Sequence, residues 1–353
     1  MSENEKEGFI SKIHSVRENT SNISRKLSEL DGEITEIDSS LAILPSKLQD
    51  LRQRGYIFLM YLDKSLDSLS SGWREVAPST RQALRSLERS YRPEIDNLQA
   101  EIEEIERRIQ RSSVDSIYRY EMLLKSLSSK TSVLEDNVEQ NTQDLEKNLG
   151  RFTERISSIK RDVSIVEETL QLTSKASFKL REREYPLLAL KAKYLAEEGK
   201  EGVFLLTDQR FVFEGERDVV LEKFWIFTTK KRKERFGIAE APIGSISEIV
   251  KGRVGLIEWT GIYVRFKPET GWADMLFDVK GGEADTIVRF FNYLSNGDAD
   301  LDKIDLEGKT TQNRNTTPTV VRCPYCGAPY SREIYRGQVS LICEYCGSSI
   351  SMK

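Results

Sequence analysis

Histidine is almost missing from this 353-residue chain, which holds one, His14. It falls between Ile13 and Val16 of a regular apolar pattern, on an exposed flank. No imidazole remains for a His-dependent triad or a His-ligated metal. No run approaches the roughly 18 apolar residues that span a bilayer. The opening Met-Ser-Glu-Asn-Glu-Lys-Glu has neither the basic nor the apolar region of a secretory signal, so the expected location is the cytoplasm. A phosphate-cradling glycine loop and a Gly-x-Ser-x-Gly elbow are both missing, and the acidic residues of the N-terminal half sit on solvated flanks, so nothing points to an enzyme. Charge of one sign is not concentrated either. The net charge is -4 and no segment is a polycation, which leaves no broad basic footprint for nucleic acid. Hydrophobic content of 38% beside 31% charge is low for one large core, and it suits a chain that is half extended helix.

What is present first is a heptad array. Phe9, Ile13, Val16, Thr20, Ile23, Leu27, Leu30, Ile34, Ile37, Leu41, Leu44, Leu48 and Leu51 follow one another in alternating steps of four and three. A helix with that 3.5-residue period keeps one narrow apolar edge against a partner helix. A helix lying on a globular core would need a wider apolar face than this stripe, whose flanks are Ser, Glu, Lys, Asn and Asp. Pro45 follows Leu44 but the phase continues, so a kink is expected there rather than a domain break. The aromatic run Tyr56-Ile57-Phe58-Leu59-Met60-Tyr61-Leu62 is too short for a membrane span and marks a place where several helices meet. The arm is expected to end near Ser70-Ser71-Gly72, with a new helix announced by Pro78-Ser79-Thr80-Arg81-Gln82, where Ser79 and Gln82 have capping-box spacing.

After Pro93 a second array runs through Ile95, Leu98, Ile102, Ile105 and Ile109. Beyond a stutter at Arg111-Ser112-Ser113 it resumes from Ile117 to Leu170, with Thr131 and Asn141 at inner positions. Residues 1–176 are therefore read as a helical coiled coil. Either the arms pair within the chain or each pairs with a second copy in a homo-oligomer, and the spacing fits both.

Near Tyr185-Pro186 the period changes to alternation. Leu188 to Tyr194 reads as a strand, and Val203-Phe204-Leu205-Leu206 and Phe211-Val212-Phe213 read as a hairpin about Thr207-Asp208-Gln209-Arg210. Further strands are expected at Val219–Thr228, Phe236–Ala241, Ile246–Ile249, Leu256–Trp259, Ile262–Phe266 and Met275–Val279. After Gly281-Gly282 a helix follows, with Ile287, Phe290, Phe291 and Leu294 on one face. The stretch Glu201 to Phe213 resembles the glycine, apolar strand, Thr-Asp-x-Arg turn, apolar strand signature of the GRAM and bacterial PH-like families. Ala241 to Ile249 resembles their following strand. The resemblance covers residues 187–295 and implies a PH-like β-barrel with a C-terminal helix, a binding platform rather than a catalyst.

Residues 296–318 are polar and read as a flexible linker. The last segment, 319–353, carries all four cysteines as Cys323-Pro-Tyr-Cys326-Gly and Cys343-Glu-Tyr-Cys346-Gly. Two such knuckles can present tetrahedral sulfur to one Zn2+, which would be structural because four thiolates leave no open position. A pair of disulfides is disfavoured in a reducing compartment. The segment resembles the zinc-ribbon families.

A second candidate site is the basic run Lys230, Lys231, Arg232, Lys233 and Arg235, expected on a loop beside Trp225 and Phe227. It reads either as an anion-binding loop or as a solvated hairpin tip. The first strand-to-strand loop, Ala196 to Gly202, carries three acids and a lysine before its final glycine, unlike a phosphoinositide site.

The expected fold class is multidomain, α then β: coiled coil, PH-like barrel, then a small zinc-ribbon β domain. The expected function is a non-enzymatic scaffold or adaptor that self-associates or binds partner helices through its coiled coil and docks on a protein or an anionic membrane surface through the PH-like domain, with the zinc ribbon as a further interaction module. The alternative is a nucleic-acid-associated regulatory protein that uses the ribbon and the basic loop.

Overall fold

The structure, a computed structural model, describes residues 3–111, 117–196, 199–224, 227–254, 259–304, 322–330 and 333–352. Three long helices come first: α1 (Glu3–Gln53), α2 (Tyr61–Arg111) and α3 (Ile117–Ser174). A mostly antiparallel sheet domain and a small two-stranded element follow. The chain divides into two compact units, Met1–Ser46 with Lys64–Lys160, and Lys47–Asp63 with Arg161–Lys353.

In the first unit the apolar stripe is buried as its spacing requires. Ile13, Ile23, Leu27, Leu30, Ile34 and Ile37 are all buried. Cross-helix pairs set the directions. Arg17 bonds Glu106, and Asp38 accepts from Trp73 Nε1 at 2.7 Å and Arg81 Nη2 at 2.5 Å, so α1 and α2 run antiparallel. Lys130 to Glu101 at 2.7 Å and Asn141 Nδ2 to Tyr91 Oη at 2.9 Å make α2 and α3 antiparallel in turn. Lys26 pairs with Glu146, and Lys160 with Glu36, so α1 and α3 run parallel. Each helix thus finds two partners within one chain.

The break expected at Ser70–Gly72 is overturned, because α2 runs unbroken through Gly72, Pro78 and Pro93. Tertiary contacts carry it across. Gly72 faces the Phe152 ring, and Trp73 packs edge-on to it at 5.1 Å. Trp73 and Arg81, on either side of Pro78, are both held by Asp38. Burial opposes ionisation of Asp38, yet the Trp73 and Arg81 hydrogen bonds outweigh it and hold the carboxyl below its ordinary value. A proline inside a helix removes one backbone bond, and side-chain bonds bracketing it limit the damage. Ser79 is no N-cap; its Oγ donates back to Val76 O at 2.9 Å. The inner position assigned to Asn141 is also corrected. Asn141 is exposed and Thr142 is fully buried, because the seam takes two successive steps of four, Leu134 to Val138 to Thr142.

In the second unit the seven strands are β1 (Pro186–Tyr194), β2 (Lys200–Thr207), β3 (Arg210–Phe224), β4 (Phe227–Pro242), β5 (Ile246–Val254), β6 (Trp259–Phe266) and β7 (Met275–Asp278), in the order β4-β3-β2-β1-β7-β6-β5. Helix α4 (Glu283–Ser295) buries Ala284, Ile287, Phe290, Phe291 and Leu294, the face its periodicity marks. This arrangement is compatible with a PH-like fold. Its interior is aromatic, with Phe204, Phe211, Phe213 and Phe277 fully buried and their rings 4.9 to 6.1 Å apart. Val219–Thr228 is not one strand. It straddles the tip of the long β3–β4 hairpin, and residues 225–226 at that tip lie outside the described residues, as do 256–258 of another expected strand.

Helices do converge at the aromatic run after Gly55. Tyr56, Ile57, Phe58 and Leu59 are buried, and Tyr56 Oη donates to Leu187 O of β1 at 3.1 Å. Asp162 of α3 accepts from Tyr61 Oη of α2 and from Arg289 of α4. The segment read as linker begins ordered: α5 (Asp298–Leu301) buries Ala299, Met60 N donates to Asp302 O, and Ile304 N donates to Ile57 O at 2.8 Å. Residues 305–321 lie outside the described residues. Strands β8 (Ser340–Ile342) and β9 (Ser349–Ser351) form the terminal hairpin.

Leu30→Asp and Ile37→Asp each bury an unpaired carboxylate in the seam. Each should lower stability by about 3 kcal/mol or more. Thermal melts followed by circular dichroism check this, and an unchanged melting temperature would contradict the seam.

Candidate metal centre and its docking turn

The two Cys-x-x-Cys-Gly segments fold as matching turns. Gly327 N donates to Cys323 O and Gly347 N to Cys343 O, both at 2.9 Å, and each glycine has positive φ, 75° and 70°. Cys323 N and Cys343 N are tied in turn to Ala328 O and Ser348 O, so the two loops are backbone images of each other. Their four sulfurs lie within 4.8 Å of one another. Cys323 Sγ is 3.8 Å from Cys346 Sγ, and Cys326 Sγ is 3.6 Å from Cys343 Sγ. Tetrahedral ligation at about 2.3 Å per bond needs sulfurs about 3.8 Å apart, so the donor set fits a metal ion. All four cysteines are free thiols. The Ser348 hydroxyl and amide bring Cys346 down to about 6. On Cys326 the Ala328 amide acts downward, but burial and the other three thiols outweigh it and push the group up to about 12. The cluster without metal therefore retains protons that a metal would displace. Leu341 and Ile350 form the small core beneath, with Ile334 packed against it.

This element is docked rather than tethered. Its loop at residues 333–338 meets the turn between β2 and β3. Arg336 Nε donates to Asp208 O at 2.8 Å, its guanidinium pairs with Asp300 of α5 at 3.0 Å, and its carbonyl accepts from Gly244 N. Gly337, at φ 83°, lies so close to Gln209 O that a Cβ would sit 1.5 Å from it, and its carbonyl accepts from Arg181. Lys267 pairs with Glu333 at 3.0 Å.

The turn that receives the loop is the Thr-Asp-x-Arg signature, and its polar groups are consumed internally. Thr207 Oγ1 accepts from the Gln209 and Arg210 amides and donates to Glu184 at 2.7 Å. Arg210 is bidentate on Glu184 at 2.7 and 2.9 Å, and both side chains are buried. The same guanidinium reaches Glu240 of β4 and Lys179 O. Burial resists ionisation of Glu184, but the Arg210, Arg181 and Thr207 bonds bring its carboxyl below the ordinary value. Burial pushes Asp208 up to about 6, against the pull of the Tyr185 amide and of Arg336. Glu184, Asp300, Arg336 and Gly337 carry no motif, and nothing in their spacing singled them out.

The second candidate site is placed differently from expectation. Lys230, Lys231, Arg232, Lys233 and Arg235 belong to strand β4, not to a loop. Register sets Lys230 opposite Glu222, Lys233 opposite Asp218 and Arg235 opposite Glu216. Side chains of residues 217–235 lie outside the described residues, as does Trp225 altogether. Of the loop at Ala196 to Gly202, residues 197–198 also lie outside them. Among the described residues no helix is long and apolar enough to cross a membrane.

No protein-family model matches the chain, and no curated protein sequence is similar to it. Among solved structures it is similar to the Vps36 N-terminal PH domain, at 12% identity over 33% of this chain and 84% of that one, with a TM-score of 0.23. The DH/PH domains of p115-RhoGEF align at 12% identity over 82% and 90%, TM-score 0.25. Autoinhibited Vav1 aligns at 10% over 99% and 68%, TM-score 0.25. Likeness of this depth leaves function to be read from the geometry.

Asp208 gives a pH signature. Its folded pKa lies above its unfolded value, so its contribution is fully present below about pH 4 and is lost as pH rises through about 6. Asp208→Asn should therefore stabilise the chain by about 1–3 kcal/mol at pH 7 and by almost nothing at pH 4. Urea denaturation of both proteins across that range measures the difference, and a pH-independent difference would contradict the assignment.

Proposed function

We propose that this chain is a non-enzymatic scaffold or adaptor: a coiled coil (residues 1–176), a PH/GRAM-like domain (187–295) that docks on a protein surface, and a zinc ribbon (319–353) as a further interaction module. The observation that carries this reading is where the polar signature goes. Thr207 and Arg210 are spent on internal bonds, and the barrel interior is filled by phenylalanine, so the outer surfaces are what remains for recognition. Strand order and the closing helix α4 support the PH-like assignment. The intrachain pairing of α1, α2 and α3 supports a coiled coil whose seam is satisfied without a second copy, which leaves its outward faces for self-association or partner helices.

The metal is proposed to be one structural Zn2+ held by Cys323, Cys326, Cys343 and Cys346. Four thiolates favour a soft, tetrahedral ion and close its coordination sphere. When bound, the ion would cross-link the two knuckles. The chain's own Leu341 and Ile350 pack with Cys323 and Cys343, and Ile334 packs against that cluster. Elemental analysis should find one zinc per chain, and none in Cys343→Ser. A metal-free tail that stays fully folded under reducing conditions would remove the site.

A second reading, weak attachment to anionic membrane, is favoured by the basic excess of the β3–β4 hairpin. The acids opposite Lys230, Lys233 and Arg235 reduce it, so protein docking comes first. The full chain and a variant with Lys230, Lys231, Arg232, Lys233 and Arg235 changed to Ser are compared in cross-linked co-precipitation, in sedimentation with anionic and neutral liposomes, and in gel shift with DNA and RNA. The adaptor reading expects protein partners retained by the variant, with any liposome binding weak and lost at physiological salt. Salt-dependent nucleic-acid shifts in the absence of protein partners would install the regulator reading instead.

A further inference from the structure

Docking of the ribbon builds a groove of about 410 Å³ that neither side has alone. Glu269 and Trp272 come from the segment between β6 and β7, and Tyr330, Glu333 and Tyr335 come from the ribbon. Trp272 is 42% exposed, and its ring is stacked on Phe266 at 5.9 Å and 30°, which fixes one face and leaves the other to the groove. Glu269 and Glu333 are both exposed carboxylates. The Tyr335 hydroxyl is held above its ordinary value by burial, then by the charge of Glu269 and a hydrogen bond to that carboxylate, and after these by Glu333; a carboxylate that accepts one such bond keeps its charge and further lone pairs for a cation.

The wall already accepts one cation. Lys267 Nζ lies 4.7 Å from the centre of the Tyr335 ring and 3.0 Å from Glu333 Oε1, an ammonium on an aromatic face with a carboxylate behind it. Electron-rich ring faces with carboxylates beside them attract cations and repel phosphate or carboxylate ligands.

We propose that this groove binds a Lys or Arg side chain from an exposed segment of a partner protein, with Trp272 as the ring face and Glu269 as the counter-charge. A planar guanidinium can lie flat on the Trp272 indole while donating to the carboxylate, so arginine is the better fit. The proposal deepens the adaptor reading by naming what one docking surface selects. It also makes the ribbon a recognition element rather than a stabilising appendage, because half of the groove leaves with it.

The test is fluorescence anisotropy of the full, metal-loaded chain with three dye-labelled heptapeptides alternating Gly with Arg, Lys or norleucine. Binding of the arginine and lysine peptides, weakening with salt, is expected, with none for norleucine. Trp272→Ala and Glu269→Gln should each weaken the arginine peptide by about five-fold or more. Glu29→Gln with Glu139→Gln, in the helical unit, should leave it unchanged. Gly337→Ala, which cannot keep its approach to Gln209, should lose binding while keeping its metal. Equal binding of the norleucine peptide, or parent-like affinity in both Trp272→Ala and Glu269→Gln, overturns the proposal. Protein co-precipitation that survives in those two variants alongside lost peptide binding would leave the adaptor reading standing and place its partner elsewhere, which also overturns the groove.

Discussion

Burying the Arg210 guanidinium against Glu184 is the constraint on which the second unit depends. Withdrawing two charges from water is costly, and it is tolerated only where every donor and acceptor is matched. Here the matching partners come from three places: Glu184 and Lys179 of the segment before β1, Thr207 of the turn, and Glu240 at the end of β4. Removing Arg210 would leave the buried Glu184 carboxylate without its counter-charge, at about 3–5 kcal/mol. The network therefore fixes where the β2–β3 turn stands. That position puts Asp208 O and Gln209 O where Arg336 and Gly337 meet them. The placement of the ribbon is a downstream consequence of one buried ion pair.

A second lock lies at the turn between α1 and α2. Arg52 donates to Tyr56 O, Phe58 O and Leu59 O and pairs with Asp63, gathering carbonyls that a tight apolar turn would otherwise leave without partners. Leu59 adopts a left-handed φ of 57°, a conformation costing about 1–2 kcal/mol for a residue with a Cβ. The strain is offset because its amide reaches Tyr293 and its side chain is buried. At the end of α3, Thr169 Oγ1 accepts from Ala189 N, and Leu172 joins Ala189, Val203, Leu205 and Val212 in one cluster. The helix ends are thus part of the sheet domain's core.

Much of this was legible because it is periodic. The seam from Phe9 to Leu51 and the alternation from Leu188 to Phe213 are patterns that burial alone imposes, and the structure follows them closely. The four cysteines were legible because ligand spacing is local. Pro78 and Pro93 misled, since sequence shows the lost backbone bond and not the Asp38 clamp that offsets part of it. Asn141 misled by one position because a single extra step of four moves the buried face to Thr142. The docked ribbon was invisible. Arg336 and Gly337 are ordinary residues whose partners in the β2–β3 turn, Asp208 and Gln209, lie well over a hundred positions away, and no pattern within a segment records a contact of that kind.

The basic run shows how structure can alter the meaning of a charge cluster. On a loop, five cations in six positions would present their full field to an anionic surface. On β4, an end strand of the sheet, they meet two other demands. Backbone register places three acidic positions, Glu216, Asp218 and Glu222, opposite three of them, so the sequence balances charge along the ladder. Charged residues on an end strand also keep its unpaired backbone from templating further strands, a hazard that grows with strand length, and β4 has 16 residues. A cluster meeting both demands needs no ligand to account for it. The aromatic and acidic groove at the ribbon has no comparable internal use for Trp272 beyond its stack on Phe266. The weight of specific recognition therefore shifts from the surface that is richest in charge to the groove beside the half-exposed Trp272 ring.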